Sequence, residues 1–179
     1  MKSNKKLSPE KYILSKARKL PFHECLINDT WQESGLATIL ISKKQPSGNY
    51  TYAMYLVDVF CLGLKNTLFN FNYNEAMYKE MKETYVYGHE NVVTCDIIQA
   101  HNIIYGAIDY ADELGFQPNK HFKITEYLLN PDLIDDGIEF GKDGKPFFIA
   151  GPDDNINRII SILERSVGKG NFDIMIPNQ

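Results

Sequence analysis

The stretch from Tyr50 to Asn74 is the longest run of β-branched, aromatic and aliphatic residues in the chain, and it constrains the fold more than any other feature. Val57, Val59, Phe60, Cys61, Leu62 and Leu64 crowd around a single carboxylate, Asp58, so the run reads as sheet covered on both faces and set deep in the domain. Upstream, Leu36 to Lys43 reads as a strand and Gln45-Pro46-Ser47-Gly48-Asn49 as a turn. Residues 36–61 therefore read as two antiparallel neighbours, the second being the central strand. Gly63 permits a bend or bulge, after which Thr67 to Phe71 resumes an extended pattern.

The remaining chain supplies helices to cover that sheet. Ser8-Pro9-Glu10 is a helix start, with a capping hydroxyl, a proline suited to the first position and an acid at the positive end of the dipole. A strand from Phe22 to Ile27 and a loop carrying Trp31, closed by Gly35, follow. Asn74 caps a helix containing Met77, Tyr78 and Met81. Ile97, Ala100, Ile104, Ala107, Ala111 and Leu114 then form one apolar stripe at helical spacing, ended by Gly115. Residues 122–129 show no assignable pattern. Glu139 to Ile149 reads as a β-hairpin turning at Asp143-Gly144. Gly151-Pro152-Asp153-Asp154 signals the start of a helix with Ile156, Ile159, Ile160, Leu163 and Val167 inward, and Phe172 to Ile176 reads as a strand joining a sheet edge. The expected fold class is α+β, a mostly antiparallel central sheet covered by three to four helices, with a single layer of helices on at least one face. Residues 1–7 are expected to form a flexible basic arm and 8–179 one globular domain.

Charge is unevenly distributed. Seven of the 19 basic residues fall in the first twenty positions, where Glu10 is the one acid among 23 in the chain. Lys16, Arg18 and Lys19, with the lysines before them, are candidates for phosphate contacts to nucleic acid, the alternative being a solvated helix face on the protein's own acidic surface. No window is apolar enough to span a membrane and no apolar leader follows the N-terminal lysines, so a cytoplasmic protein is expected. Cys25, Cys61 and Cys95 are widely spaced, with neither a CxxC pair nor a zinc-ligand pattern, and read as small buried hydrophobes.

Asp58 is the first chemical candidate, because a carboxylate in a buried strand needs a partner. It is either a metal ligand of the kind that holds Mg²⁺ against a phosphate, or it is satisfied by Lys65 or a helix-end N–H. A second set lies on the long helix, where His101, Tyr105 and Asp112 share a band beside the apolar stripe with Asp109 a little further round. There His101 and Tyr105 place a proton carrier beside a phenol, and the two acids are able to orient it or hold a metal; the alternative is an ordinary polar border. His121, His89-Glu90 and His23-Glu24 complete a mononuclear metal site only if the fold converges them. HExxH, GxSxG, GxGxxG and GxxxxGK[ST] are absent, and no cofactor is assigned.

Three stretches, YLVDxxCLGxK (Tyr55 to Lys65), YGAxxYAxxLGFxP (Tyr105 to Pro118) and EFGKDGKP (Glu139 to Pro146), resemble an uncharacterised family of bacterial proteins. The resemblance spans most of residues 10 to 176 and implies one coherent domain and a bacterial source, with no activity attached. Two functions therefore stand. The first is a non-enzymatic binding or accessory module contacting another macromolecule, a protein or a second copy of itself, through its sheet surface, exposed tyrosines among the eleven in the chain, and the basic arm. The second is a metal-dependent phosphodiester hydrolase using Asp58 with Asp109, Asp112 or His101.

Overall fold

A computed structural model describes residues 7–88, 91–131 and 137–177. Lys2, Lys5 and Lys6 of the basic arm and the His89-Glu90 pair lie outside the described residues. In chain order the elements are α1 (Pro9–Lys16), β1 (Phe22–Asn28), the short α2 (Trp31–Ser34), β2 (Leu36–Lys44), β3 (Tyr50–Asp58), β4 (Gly63–Tyr73) and α3 (Glu75–Tyr85). They continue with β5 (Val92–Thr94), α4 (Ile97–Glu113), the short α5 (Phe122–Thr125), β6 (Phe147–Ile149), α6 (Ile156–Ser166) and β7 (Asp173–Met175).

β1 to β5 form one antiparallel sheet in the order β4-β3-β2-β1-β5, so the expected α+β class holds. The apolar run supplies β3 and the whole of β4, and β2 rather than β3 occupies the middle. Alternate residues of each strand face opposite layers. Ala37, Ile39, Ile41, Ala53, Tyr55 and Val57 pack under the Ile103, Ile104 and Ala107 stripe of α4 and under Ile13 and Ala17. Leu26, Leu40, Tyr52 and Met54 pack on the other face against Tyr78 and Met81 of α3. The sheet is thus covered on both sides, which is why β3 is buried at all but one of its nine positions.

Local chemistry sets the helix ends. The Ser8 hydroxyl accepts from Lys11 N–H and the Asn74 side chain from Met77 N–H. Asp96 accepts from Ile98 and Gln99 N–H at the start of α4. The cap of α6 is Asn155, which accepts from Arg158 N–H, and not the acidic pair before it.

The C-terminal third departs from expectation. Asp143 and Gly144, both at positive φ, do form a tight turn, but only Lys142 and Lys145 bridge across it. Phe147 onward pairs instead with β7, in parallel, as a separate two-stranded sheet. Parallel pairing needs a crossover, and α6 provides it, burying Ile159 and Leu163 against Cys61, Leu114 and Phe148.

Two further features position side chains. β-bulges interrupt the ladders at His23, between Phe22 and Glu24, and at Lys65, between Leu64 and Asn66. The outer edge of β4 is also occupied. Thr67 N–H and Phe71 N–H donate to the side-chain carbonyls of Asn66 and Asn70, and the Leu64 carbonyl accepts from Asn119 N–H, all at 2.9 Å.

Candidate functional site

The three stretches singled out in the sequence meet around the turn from β3 to β4. Gly63 sits at φ +66° directly on α4, where an added Cβ would lie 2.6 Å from Ala111 Cβ and 2.7 Å from the Ala107 carbonyl oxygen. Gly106 similarly admits the Phe140 ring against α4, and Tyr110 stacks on that ring at 6.0 Å. Gly141 N–H donates to the Val59 carbonyl and Phe147 N–H to the Phe60 carbonyl.

Asp58 is the keystone of this turn. It is 7% exposed, and its Oδ1 accepts from Phe60 N–H and Cys61 N–H, both at 2.9 Å. Burial pushes the carboxyl up to about 6, against the Phe60, Cys61 and Leu62 amides and the more distant Lys65 charge, which favour the ionised form. Its partner is therefore the backbone of its own turn, neither Lys65 nor a helix end.

Lys65, the extra residue of the β4 bulge, points elsewhere. Its Nζ lies 2.8 Å from Asp154 Oδ2, an oxygen that also accepts from Gly151 N–H at 2.8 Å. Both side chains are largely buried, at 22% and 15% exposure. They form one wall of a cleft of about 480 Å³ between β4, the end of α4 and the start of α6. Leu62, Leu64, Phe116, Ile159 and Ile162 make its apolar floor, and Arg158, Asp153 and Asn119 its polar rim. Arg158 is exposed and has no ion-pair partner among the described residues.

The other predicted residues are dispersed. His101 is 1% exposed in the main core, its Nε2 accepting from Asn130 N–H at 3.2 Å, and Tyr105 lies half-buried beside it and Phe122. Burial raises the Tyr105 phenol. Asp109 and Asp112 are exposed, and Asp112 accepts from Gln117. The shared helical band thus divides between core and water. His121 rests edge-on against Phe69, and His23 lies on the α3 face. Among the described residues no three His, Cys, Asp or Glu side chains gather to hold a metal ion.

Lys16, Arg18 and Lys19 are exposed at the end of α1, with the Arg18 guanidinium over the Tyr127 ring at 4.6 Å. Lys43 reaches into the same corner from β2, donating to the Ala17 carbonyl at 3.0 Å. Burial, and then the Arg18 charge, pull the Lys43 ammonium down to about 8.

Sequence reasoning missed a polar cluster under α3. The β1 bulge turns His23 and Glu24 together toward Tyr50 and Tyr78, whose rings stack at 4.3 Å. Glu24 Oε1 accepts from Tyr78 Oη and from Lys82 Nζ, both at 2.8 Å, while Tyr50 Oη donates to Glu75 at 2.6 Å. These groups satisfy one another, and the lysines Lys44 and Lys82 already cover the two rings. The cleft at Lys65 and Arg158, by contrast, is open and carries an exposed guanidinium with no ion-pair partner among the described residues. Comparison with protein-family models, with curated proteins and with solved structures finds no match for this chain.

Proposed function

We propose that the chain is a non-enzymatic binding module that docks a segment of another protein in the cleft between β4, α4 and α6. Arg158 receives a carboxylate of that segment, and Leu62, Phe116 and Ile162 take an adjacent apolar side chain. The observation that carries this reading is the composition of the cleft, an apolar floor beside an exposed guanidinium with no ion-pair partner among the described residues. A planar guanidinium binds a carboxylate through two parallel hydrogen bonds, and an apolar floor adds area without fixing chemistry. The hydrolase reading has less support, because Asp58 serves its own turn while Asp109 and Asp112 face water.

Amide chemical shifts followed during titration with acetyl-Leu-Glu-Leu amide test the proposal. Saturable shifts at Leu62, Lys65, Phe116, Arg158 and Ile162 are expected, weakened at least about fivefold in Arg158→Ala or when glutamine replaces the peptide's glutamate, in line with loss of a charge-assisted pair. No shifts, or equal binding of the glutamine peptide, would sink it. Thermal melts with Mg²⁺, Mn²⁺ and Zn²⁺ address the hydrolase. A metal at a hundred times its Kd adds about 2.7 kcal/mol, and such a gain lost in Asp58→Asn would favour that reading instead.

A further inference from the structure

Cys25 and Cys95 are 70 positions apart in sequence and directly opposed in the fold. β5 joins β1 with Leu26 opposite Thr94, Ile27 opposite Val93 and Asn28 opposite Val92. One step further in the same register Cys25 faces Cys95, and Cys95 N–H donates to the Cys25 carbonyl at 2.9 Å. Opposed residues of an antiparallel pair project from the same face, and a hydrogen-bonded pair sets its Cα atoms about 5.5 Å apart. That spacing lies in the middle of the range a disulfide bridges, roughly 4.4–6.8 Å. The two thiols are free; the Cys95 thiol donates to the Asp96 carbonyl at 3.3 Å and to Gln99 Oε1 at 3.6 Å, and the proximity of the two sulfurs raises Cys25 and lowers Cys95.

Both thiols are buried, at 1% and 4% exposure, so a reagent reaches them only when the seam opens. The seam is suited to opening. β5 is a three-residue edge strand with Val93 46% exposed, and short edge strands separate locally at far less cost than global unfolding.

We propose that Cys25 and Cys95 are a redox-responsive dithiol, at which a hydroperoxide converts the β1–β5 seam into a covalent crosslink. The Cys95 thiolate attacks the peroxide, breaking its O–O bond and forming an S–O bond; the expelled alkoxide or hydroxide takes up the proton that the Cys95 thiol released, so that a sulfenic acid and an alcohol or water are produced. The Cys25 sulfur then displaces hydroxide from the sulfenic sulfur, and that hydroxide leaves as water with the Cys25 proton. Two thiols are oxidised for each hydroperoxide reduced. The product ties β5, and the α4 start that follows it, to the sheet.

The test is exposure of the native protein to hydrogen peroxide, followed by denaturation, alkylation and mass mapping. The expected product has lost two hydrogens, carries a Cys25–Cys95 linkage and keeps Cys61 alkylated. Its thermal midpoint rises by roughly 10 °C, the effect of closing a loop of this length in a domain of this size, and dithiothreitol reverses both changes. In Cys25→Ser a sulfenic acid at Cys95 should be trapped by dimedone, whereas Cys95→Ser should leave Cys25 unreacted. Three alkylated thiols after peroxide, a crosslink involving Cys61, or a crosslink formed only in urea would each overturn the proposal, and the wild-type mapping decides it even if a serine variant does not fold.

Discussion

Replacing Asp58 with asparagine separates the charge of this side chain from its role as an acceptor. Asparagine keeps an oxygen for the Phe60 and Cys61 amides and never ionises. In the wild type the folded carboxyl titrates at about 6 against an ordinary 3.8. A raised acid pKa means that the folded state holds its proton after the unfolded chain has released it. The stabilising contribution is therefore complete below pH 3.8 and is lost as pH rises through 6. A gap of about two units at 1.36 kcal/mol each gives about 3 kcal/mol in full, of which roughly 2 kcal/mol falls between pH 4 and 7.5. Urea unfolding of both proteins across that interval, taken as the difference between them, cancels the other carboxylates. Asp58→Asn should gain roughly 2 kcal/mol on the wild type from pH 4 to 7.5. Asp58→Ala, which also never ionises but abandons the amides, should follow the same pH trend while lying about 1–3 kcal/mol below Asp58→Asn at every pH. A difference that stays flat, or slopes the other way, would refute the reasoning and indicate a carboxylate better stabilised than its buried setting allows.

Other substitutions probe the same region. Gly63→Ala adds strain at positive φ to a collision with Ala111 and the α4 backbone, and should cost about 2–4 kcal/mol in thermal unfolding, partly restored by Ala111→Gly. Lys65→Met leaves Asp154 partly buried with Gly151 N–H as its remaining partner, a loss of about 2 kcal/mol; a double-mutant cycle with Asp154→Asn should show coupling above the roughly 0.5 kcal/mol of a surface pair. Tyr78→Phe deletes one of two donors to Glu24 and should cost about 1 kcal/mol by chemical denaturation, with far-UV circular dichroism unchanged.

Features governed by local pattern were legible in the sequence. The β-rich run became β3 and β4, the alanine-spaced stripe became the buried face of α4, and Ser8 and Asn74 cap the helices they precede. Features created by distant pairing were not. β5 is three residues long and exists only because β1 offers it a partner, and β6 and β7 find each other across α6. Asp58 was singled out as needing a partner, and the structure gives its Oδ1 the amides of its own turn. The helical angle placing His101 with Asp112 was sound, yet the boundary between core and water runs between them. The cleft around Lys65 depends on a bulge and on Asp154, 89 residues away, and neither leaves a trace in local spacing.

The asparagines along β4 have a consequence for assembly. A sheet margin ordinarily offers an approaching polypeptide a row of unsatisfied amides and carbonyls, and a stranger can dock there with little regard to its side chains. Here Asn66 and Asn70 turn back onto the strand they belong to, and Asn119 closes the carbonyl beyond them. Zippering onto this margin would require expelling contacts already made. Whatever meets β4 must be recognised by its shape and functional groups, so discrimination is built into a surface that would otherwise accept almost any extended chain.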